Sequence, residues 1–72
     1  MRTQSILKGR FTIIPDFELE APGSYLAIVR VTEQTDGGTK TSIRRGVRLF
    51  TCAPDALDDA ALQARRIAAE LT

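Results

Sequence analysis

Apolar and polar residues alternate over nine consecutive positions near the start of this chain. Every odd position from Phe11 to Leu19 is apolar, and the even positions between them are polar except for Ile14. Alternation with a period of two predicts a β-strand, over about 7–19, with one face against a core and the other towards water. Pro15 has no N–H to donate to a neighbouring strand, so we expect this strand at the edge of a sheet.

Two turn signals divide the rest of the sheet region. Pro22-Gly23-Ser24 precedes a second predicted strand over about 25–34, and Asp36-Gly37-Gly38 precedes a third over about 39–51. A three-residue loop, with Gly38 at positive φ, keeps the apolar side chains of the third strand on the core face, whereas a two-residue loop sends them to the other face. We therefore predict the longer loop, which directs these side chains to the core: Ile43, Val47 and Leu49.

The predicted registers place one charge among the apolar side chains. In the first hairpin Leu19 faces Tyr25 and Ile13 faces Val31. In the second, Arg45 falls on the core face. Three interpretations are open: an inward charge that protects an edge strand from aggregation, a bulge at the following glycine that turns the arginine outward, or a functional buried arginine.

The last third of the chain predicts an amphipathic helix from Pro54 or Asp55 to Leu71. Proline suits the first helical turn, and an aspartate there complements the positive end of the helix dipole. At about 100° per residue, one face collects apolar side chains, many of them alanine, so the helix is able to lie close to a sheet. This face consists of Leu57, Ala60, Ala61, Ala64, Ile67, Ala68 and Leu71.

These elements predict a single α+β domain over residues 1–72. Its architecture is a three-stranded antiparallel β-meander, order 1-2-3, with one C-terminal α-helix packed on one face (βββα). So short a chain buries only about 60% of the surface that its unfolded form exposes. One cysteine excludes an internal disulfide, and the absence of histidine excludes the usual zinc sites. We therefore expect no metal or cofactor, and stabilisation by a partner subunit in a homodimer.

The composition disfavours an enzyme, a membrane protein and a secreted protein. Without histidine the usual general base is missing, and Cys52 has no evident activating partner, so a small core cysteine is the preferred interpretation. No apolar run approaches the roughly 18 residues that a membrane span needs, and residues 1–10 lack the apolar core of a secretory signal. Together with the single cysteine, these features predict the cytoplasm.

One helix covers one face of a sheet, so the other face of the predicted sheet is left for water or a partner. Residues 1–50 hold eight Lys and Arg against five Asp and Glu, which makes the sheet region basic. In the predicted register Arg30 faces Arg44, a pairing that needs solvent or an anion. The candidate nucleic-acid or anion contacts are Arg30, Arg44 and Arg48. The candidate oligomer contacts form an apolar zone: Ile14, Leu26, Ile28 and Phe50.

The C-terminal half carries a resemblance. Val47-Arg48-Leu49-Phe50-Thr51, followed by Asp55-Ala56 and Ala64-Arg65-Arg66-Ile67, resembles the C-terminal half of small uncharacterised bacterial proteins with a three-stranded sheet and a final helix. That resemblance implies the fold and no activity. The order of elements is also similar to plant AP2-type and phage integrase arm-binding domains, which lay a sheet in the DNA major groove, a likeness of fold alone.

Two function hypotheses follow from these observations. The first is a non-enzymatic protein-interaction module that acts as a homodimer, because the chain is short, has no covalent or metal crosslink and leaves an apolar zone uncovered. The alternative is a nucleic-acid-binding module that uses the basic exposed face of the sheet, without a small-molecule substrate or a membrane.

Overall fold

An antiparallel sheet of four strands and one C-terminal helix make up residues 5–71, the part of the chain that the structure, a computed structural model, describes. The strands lie side by side in chain order: β1 (Ile6–Lys8), β2 (Phe11–Ala21), β3 (Ser24–Thr35) and β4 (Gly38–Phe50). Helix α1 (Ala53–Glu70) follows. The α+β prediction is confirmed. The described residues exclude Thr72 and residues 1–4. Residues 1–4 belong to the segment 1–10, in which no secretory signal is predicted.

The prediction of three strands is wrong, because the first predicted strand is two strands. A two-residue turn, Gly9-Arg10, folds β1 back onto the start of β2, so that Lys8 pairs with Phe11. Gly9 has φ 59°, while Arg10 has a negative φ, the combination found in type II′ hairpin turns. Ile6 packs against the core and holds the short strand in place. Within residues 5–71, the pairing of β1 with β2 reaches Ile13 and does not include Pro15.

The register predicted for the next hairpin is confirmed. Leu19 pairs with Tyr25 and Ile13 with Val31, and the same offset holds along β2 and β3 until an irregularity near Ala21. The odd positions of both strands therefore share one face. That face is the one that α1 covers, because the helix packs mainly against β2 and β3.

The three-residue loop predicted between β3 and β4 is wrong. Thr35 pairs with Gly38, so the loop is Asp36-Gly37 and the whole of β4 is shifted by one position. The Thr35 hydroxyl donates a hydrogen bond to the Gly38 carbonyl at 3.0 Å, and Gly38 has the predicted positive φ, 137°. The prediction assumed that a helix covers the whole sheet. Since α1 touches β4 only slightly, apolar side chains of β4 gain little from facing it.

The shift decides where Arg45 points. It pairs with Ile28 and therefore lies on the face away from α1, so it is not a buried core charge. A bulge follows, because the next pair is Leu26 with Leu49, which leaves two more residues on β4 than on β3 between these pairs. The predicted bulge at Gly46 thus exists, but the shorter loop already turns Arg45 outward. Val47, predicted on the core face, lies in the bulge and is 100% exposed.

Helix α1 begins one residue before the predicted start. Four residues of the predicted face are buried, while Leu57, Ala61 and Leu71 are half-buried and Ala56, which was not predicted, is buried. Cys52 is its N-cap and is half-buried, and Pro54 lies in the first turn. The buried helix residues are alanine except for Ile67, which lets the helix lie close to the sheet: Ala56, Ala60, Ala64, Ile67 and Ala68. Ile13, Val29 and Val31 pack against the C-terminal part of this set and form the core with it.

Candidate interaction surfaces

The sheet face away from α1 has no helix over it among the described residues, yet two of its apolar side chains are buried. We call it the outer face. Leu26 is 7% exposed and Ile28 is 2% exposed, although both lie on this face of β3. The other outer-face residues, from β1 to β4, are Leu7, Thr12, Ile14, Asp16, Glu18, Arg30, Thr32, Thr41, Ile43, Arg45 and Leu49.

Two ion pairs lie on the outer face next to these buried side chains. Arg45 donates from Nε to Glu18 Oε1 at 3.1 Å and from Nη2 to Oε2 at 3.0 Å. Glu18 lies on β2 and Arg45 on β4, so the pair crosses over β3, a span of about 10 Å between strand axes. Arg30 Nη2 lies 2.9 Å from Asp16 Oδ2. Asp16 and Arg45 flank Ile28 in the sheet, and Glu18 flanks Leu26, so we infer that the aliphatic stems of the paired side chains cover these two residues.

The bidentate pair changes the titration of both partners. The hydrogen bonds from Arg45 lower the pKa of the Glu18 carboxyl below its ordinary value, against a smaller opposite effect of desolvation. The charges of Arg45 and Arg30 lower it further. The same hydrogen bonds raise the pKa of the Arg45 guanidinium. Both groups therefore stay ionised at neutral pH, and the outer face carries internally matched charge rather than free arginines.

The structure separates the three predicted nucleic-acid or anion contacts. Arg30 lies on the outer face, paired with Asp16. Arg44 pairs with Val29 in the sheet and lies on the side of α1, so it does not face Arg30 as predicted. Arg48 lies in the bulge, with its guanidinium carbon 5.1 Å from the centre of the Phe50 ring. The basic zone predicted on one face does not form.

The predicted apolar zone is also divided. Ile14 is half-buried on the outer face, and Leu26 and Ile28 are buried beneath the ion pairs. Phe50 pairs with Tyr25 on the side of α1, so its predicted place on the outer face is wrong. Ile43 takes a place on the outer face opposite Arg30, with 44% of its surface exposed.

The most exposed element is β4. It has 13 residues and, within the described part of the chain, a hydrogen-bonded neighbour on one side only. Every residue from Gly38 to Arg45 is exposed. An unpaired edge of this length presents a row of backbone N–H and C=O groups to which another strand is able to pair. The sequence signal for this exposure is the run Thr39-Lys40-Thr41-Ser42, which has no apolar residue.

A groove separates β4 from α1, because the helix lies over β2 and β3. We call it the β4–α1 groove; its volume is about 320 Å³. Buried apolar side chains form its floor: Ala27, Val29, Ala60 and Ile67. Both walls contribute to the lining: Arg44, Arg45 and Gly46 on β4, and Gln63, Arg66 and Glu70 on α1. The sequence pattern does not predict this groove, because the position of Arg44 depends on the length of the loop before β4.

Other kinds of site find no support in residues 5–71. No group of three or more Cys, Asp or Glu side chains there is arranged to hold a metal ion. The helix of this described part is not long and apolar enough to cross a membrane. Comparison with known proteins finds no matching family model, no similar curated protein and no similar solved structure. The resemblance of the C-terminal half therefore stays a prediction.

Proposed function

We propose that this chain is a non-enzymatic protein-interaction module that forms a homodimer by pairing β4 with β4 of a second copy. The observation that carries the proposal is the edge of β4, exposed from Gly38 to Arg45. Pairing joins two four-stranded sheets into one sheet of eight strands. A two-fold axis perpendicular to the sheet relates the copies, so the two strands run antiparallel and both helices lie on the same side.

Side-chain charge selects the register of this pairing. Side chains directly opposite each other in an antiparallel pair lie on the same face of the sheet. The two-fold axis must therefore pass through a residue, and not between two residues, in the part of β4 that precedes the bulge. An axis at Ser42 places Lys40 opposite Arg44 of the other copy, a like-charge contact. An axis at Thr41 places Lys40 opposite Ser42, Arg44 opposite Gly38, and Ile43 opposite Thr39. No cation then directly opposes a cation.

The Thr41 register pairs the seven residues from Gly38 to Arg44, all of them before the bulge, which begins after Arg45. It also brings Asp36, in the loop before β4, diagonally opposite Arg44 of the second copy, at a distance of about 7–8 Å between Cα atoms. This acid partly compensates the basic strand, whose cations are Lys40, Arg44, Arg45 and Arg48.

Charge reversal at the axis tests the dimer. Sedimentation equilibrium of the wild type over about 5–500 µM should show reversible dimers, with a Kd in the micromolar range that corresponds to about 8 kcal/mol. Thr41 is exposed, so a substitution there spares the core. Thr41→Lys and Thr41→Glu should each dissociate the homodimer, because each charge faces itself, and an equimolar mixture should restore association. Thr51→Lys, beyond β4, is the matched control and should dimerise like the wild type.

Three results would contradict the proposal. A wild-type monomer at 500 µM, about the upper limit of the measurement, removes the dimer. Unchanged association of both Thr41 variants shows that β4 is not the interface. Tighter association of Thr41→Glu alone shows that Thr41 faces a cation such as Arg45, which refutes the register.

The alternative function, nucleic-acid binding, keeps one supporting observation. No acidic residue occurs from Gly37 to Pro54, and three cations without a salt bridge within residues 5–71 lie along the edge strand β4 and its bulge: Lys40, Arg44 and Arg48. If this edge binds phosphates, duplex DNA at low salt should bind the wild type and bind Arg44→Ala more weakly. Absence of binding removes this alternative and leaves the dimer test unaffected. In either case we place the protein in a reducing cytoplasm, where Cys52 stays a free thiol.

A further inference from the structure

We propose that a second copy of this chain inserts Val47, in the bulge of its β4, into an apolar pocket beside the beginning of α1. The contact joins two different surfaces of the molecule, so it is separate from the pairing of β4 with β4 and does not require it. The two surfaces match in two respects: each has an accessible apolar centre, and the charges beside these centres are opposite in sign.

The pocket lies between β2 and α1. We call it the Leu57 pocket; its volume is about 330 Å³, and it is lined by Phe17, Ala53, Pro54, Leu57 and Asp58. Pro54 is exposed, and Phe17, Ala53 and Leu57 are only half-buried, so their apolar surface is accessible to another molecule. The Phe17 ring makes an edge contact with the ring of Tyr25, at 5.7 Å between centroids, which helps to fix one wall of the pocket.

The bulge of β4 supplies an apolar surface that fits this pocket. Val47 is 100% exposed, so its whole side chain protrudes from the sheet, and Leu49 is 56% exposed. Two exposed apolar side chains within three residues form a small patch that gains free energy when a partner covers it. The proposed dimer pairs only Gly38 to Arg44, which leaves the bulge available for a second contact.

Opposite charges accompany the two surfaces. Asp58 lines the Leu57 pocket, and Asp55 lies exposed on the preceding turn of α1. Arg48 stands between Val47 and Leu49 in the bulge. Within residues 5–71, none of these three charged side chains has an oppositely charged partner within 4.0 Å. Entry of Val47 into the pocket therefore brings a guanidinium towards carboxylates that complement it.

One copy is not able to make this contact with itself. The pocket is lined from β2 and α1, whereas the bulge belongs to β4, and β3 lies between β2 and β4. The contact is therefore heterologous and joins copies head to tail. We expect a dissociation constant on the order of 1 mM for a single contact, since it buries two apolar side chains and forms one surface ion pair.

Substitution of Val47 tests the contact in the Thr41→Lys background, in which the β4–β4 dimer should be dissociated. Amide signals of the ¹⁵N-labelled protein, followed from about 50 µM to about 2 mM, should shift at Leu57, Asp58 and Arg48 as copies associate. Val47→Asp should weaken this association about tenfold or more. Leu7→Asp is the matched control and should leave it unchanged, because Leu7 is 78% exposed and belongs to neither surface.

Charge exchange tests which surfaces meet. Arg48→Asp and Asp58→Arg should each weaken association about threefold, because like charges then face each other in the contact. An equimolar mixture of the two variants should recover it, because the acidic bulge of one then meets the basic pocket of the other.

Three results would overturn the proposal. Constant signals of Leu57 and Asp58 up to about 2 mM show that the pocket is not occupied. Equal effects of Val47→Asp and Leu7→Asp show a general loss of apolar surface, and a mixture that associates no better than the single charge variants shows that bulge and pocket do not meet. If Thr41→Lys still dimerises, the proposed β4 pairing fails, while the signals of the Leu57 pocket still report the contact with the bulge.

Discussion

Truncation of Ile13 to alanine tests which face of the sheet forms the core. Ile13 is 0% exposed and is the largest side chain that the described residues bury completely. It packs with side chains of β3 and of the C-terminal half of α1: Val29, Val31, Ala64, Ile67 and Ala68. The substitution removes three carbons, worth about 2.4 kcal/mol of transfer free energy at about 0.8 kcal/mol each, before the cavity is counted. With the cavity, we expect a loss of about 3–4 kcal/mol.

That loss is large for a domain of this size. At about 0.05–0.15 kcal/mol per residue, the free energy of unfolding of 72 residues is about 4–11 kcal/mol. Urea unfolding at low micromolar protein, followed by far-UV circular dichroism, should show the midpoint falling by about 3 M, since the slope for a small domain is about 1 kcal/mol per M. Ile13→Val, with an expected loss of about 1 kcal/mol, keeps the measurement possible if the alanine variant does not fold.

Leu7→Ala is the matched control, because it removes the same number of carbons from a side chain that is 78% exposed on the outer face. Its cost should stay below about 0.5 kcal/mol. A cost for Ile13→Ala that is no greater than that of Leu7→Ala would refute the assignment of the core to the face under α1.

Two further predictions use matched pairs. Gly38→Ala should destabilise the protein by about 1 kcal/mol because Gly38 has φ 137°, whereas Gly37→Ala, in open space and without a positive φ, should change the urea midpoint little. The Arg45 hydrogen bonds lower the pKa of Glu18, so their stabilisation is complete above the unfolded pKa of about 4.3 and is lost as pH falls through the lower folded value. The difference in urea midpoint between the wild type and Glu18→Gln should therefore be larger at pH 7 than at about pH 3; an equal difference at both pH values would contradict the ion pair.

Local patterns in the sequence were sufficient for the part of the fold that α1 covers. Alternation in β2 and β3 predicted their register, since a one-residue slip would expose Ile13 and Val31. The alanine-rich stripe predicted the buried face of the helix for the same reason. In both cases the burial of apolar side chains made a single arrangement favourable.

Burial of apolar side chains did not predict the register of β4, because no contact in the core depends on that register. Turn chemistry and backbone pairing chose the two-residue loop Asp36-Gly37, and with it the face of Arg44 and Arg45. The ion pair of Arg45 with Glu18 and the β4–α1 groove both follow from that choice. Neither the ion pair nor the groove is predicted when the register of β4 is assigned from its apolar residues. The strand β1 was missed because Ile6 and Leu7 continue the apolar pattern up to Gly9.

We also expect the ion pair across β3 to affect the rate of unfolding. Glu18 and Arg45 are 27 residues apart and belong to strands that never touch, so their contact requires both hairpins to be complete. We therefore expect this contact to form late, after the rate-limiting barrier to folding has been crossed. Its removal should therefore accelerate unfolding while the refolding rate stays nearly constant, which makes this surface pair a determinant of how long the native state persists.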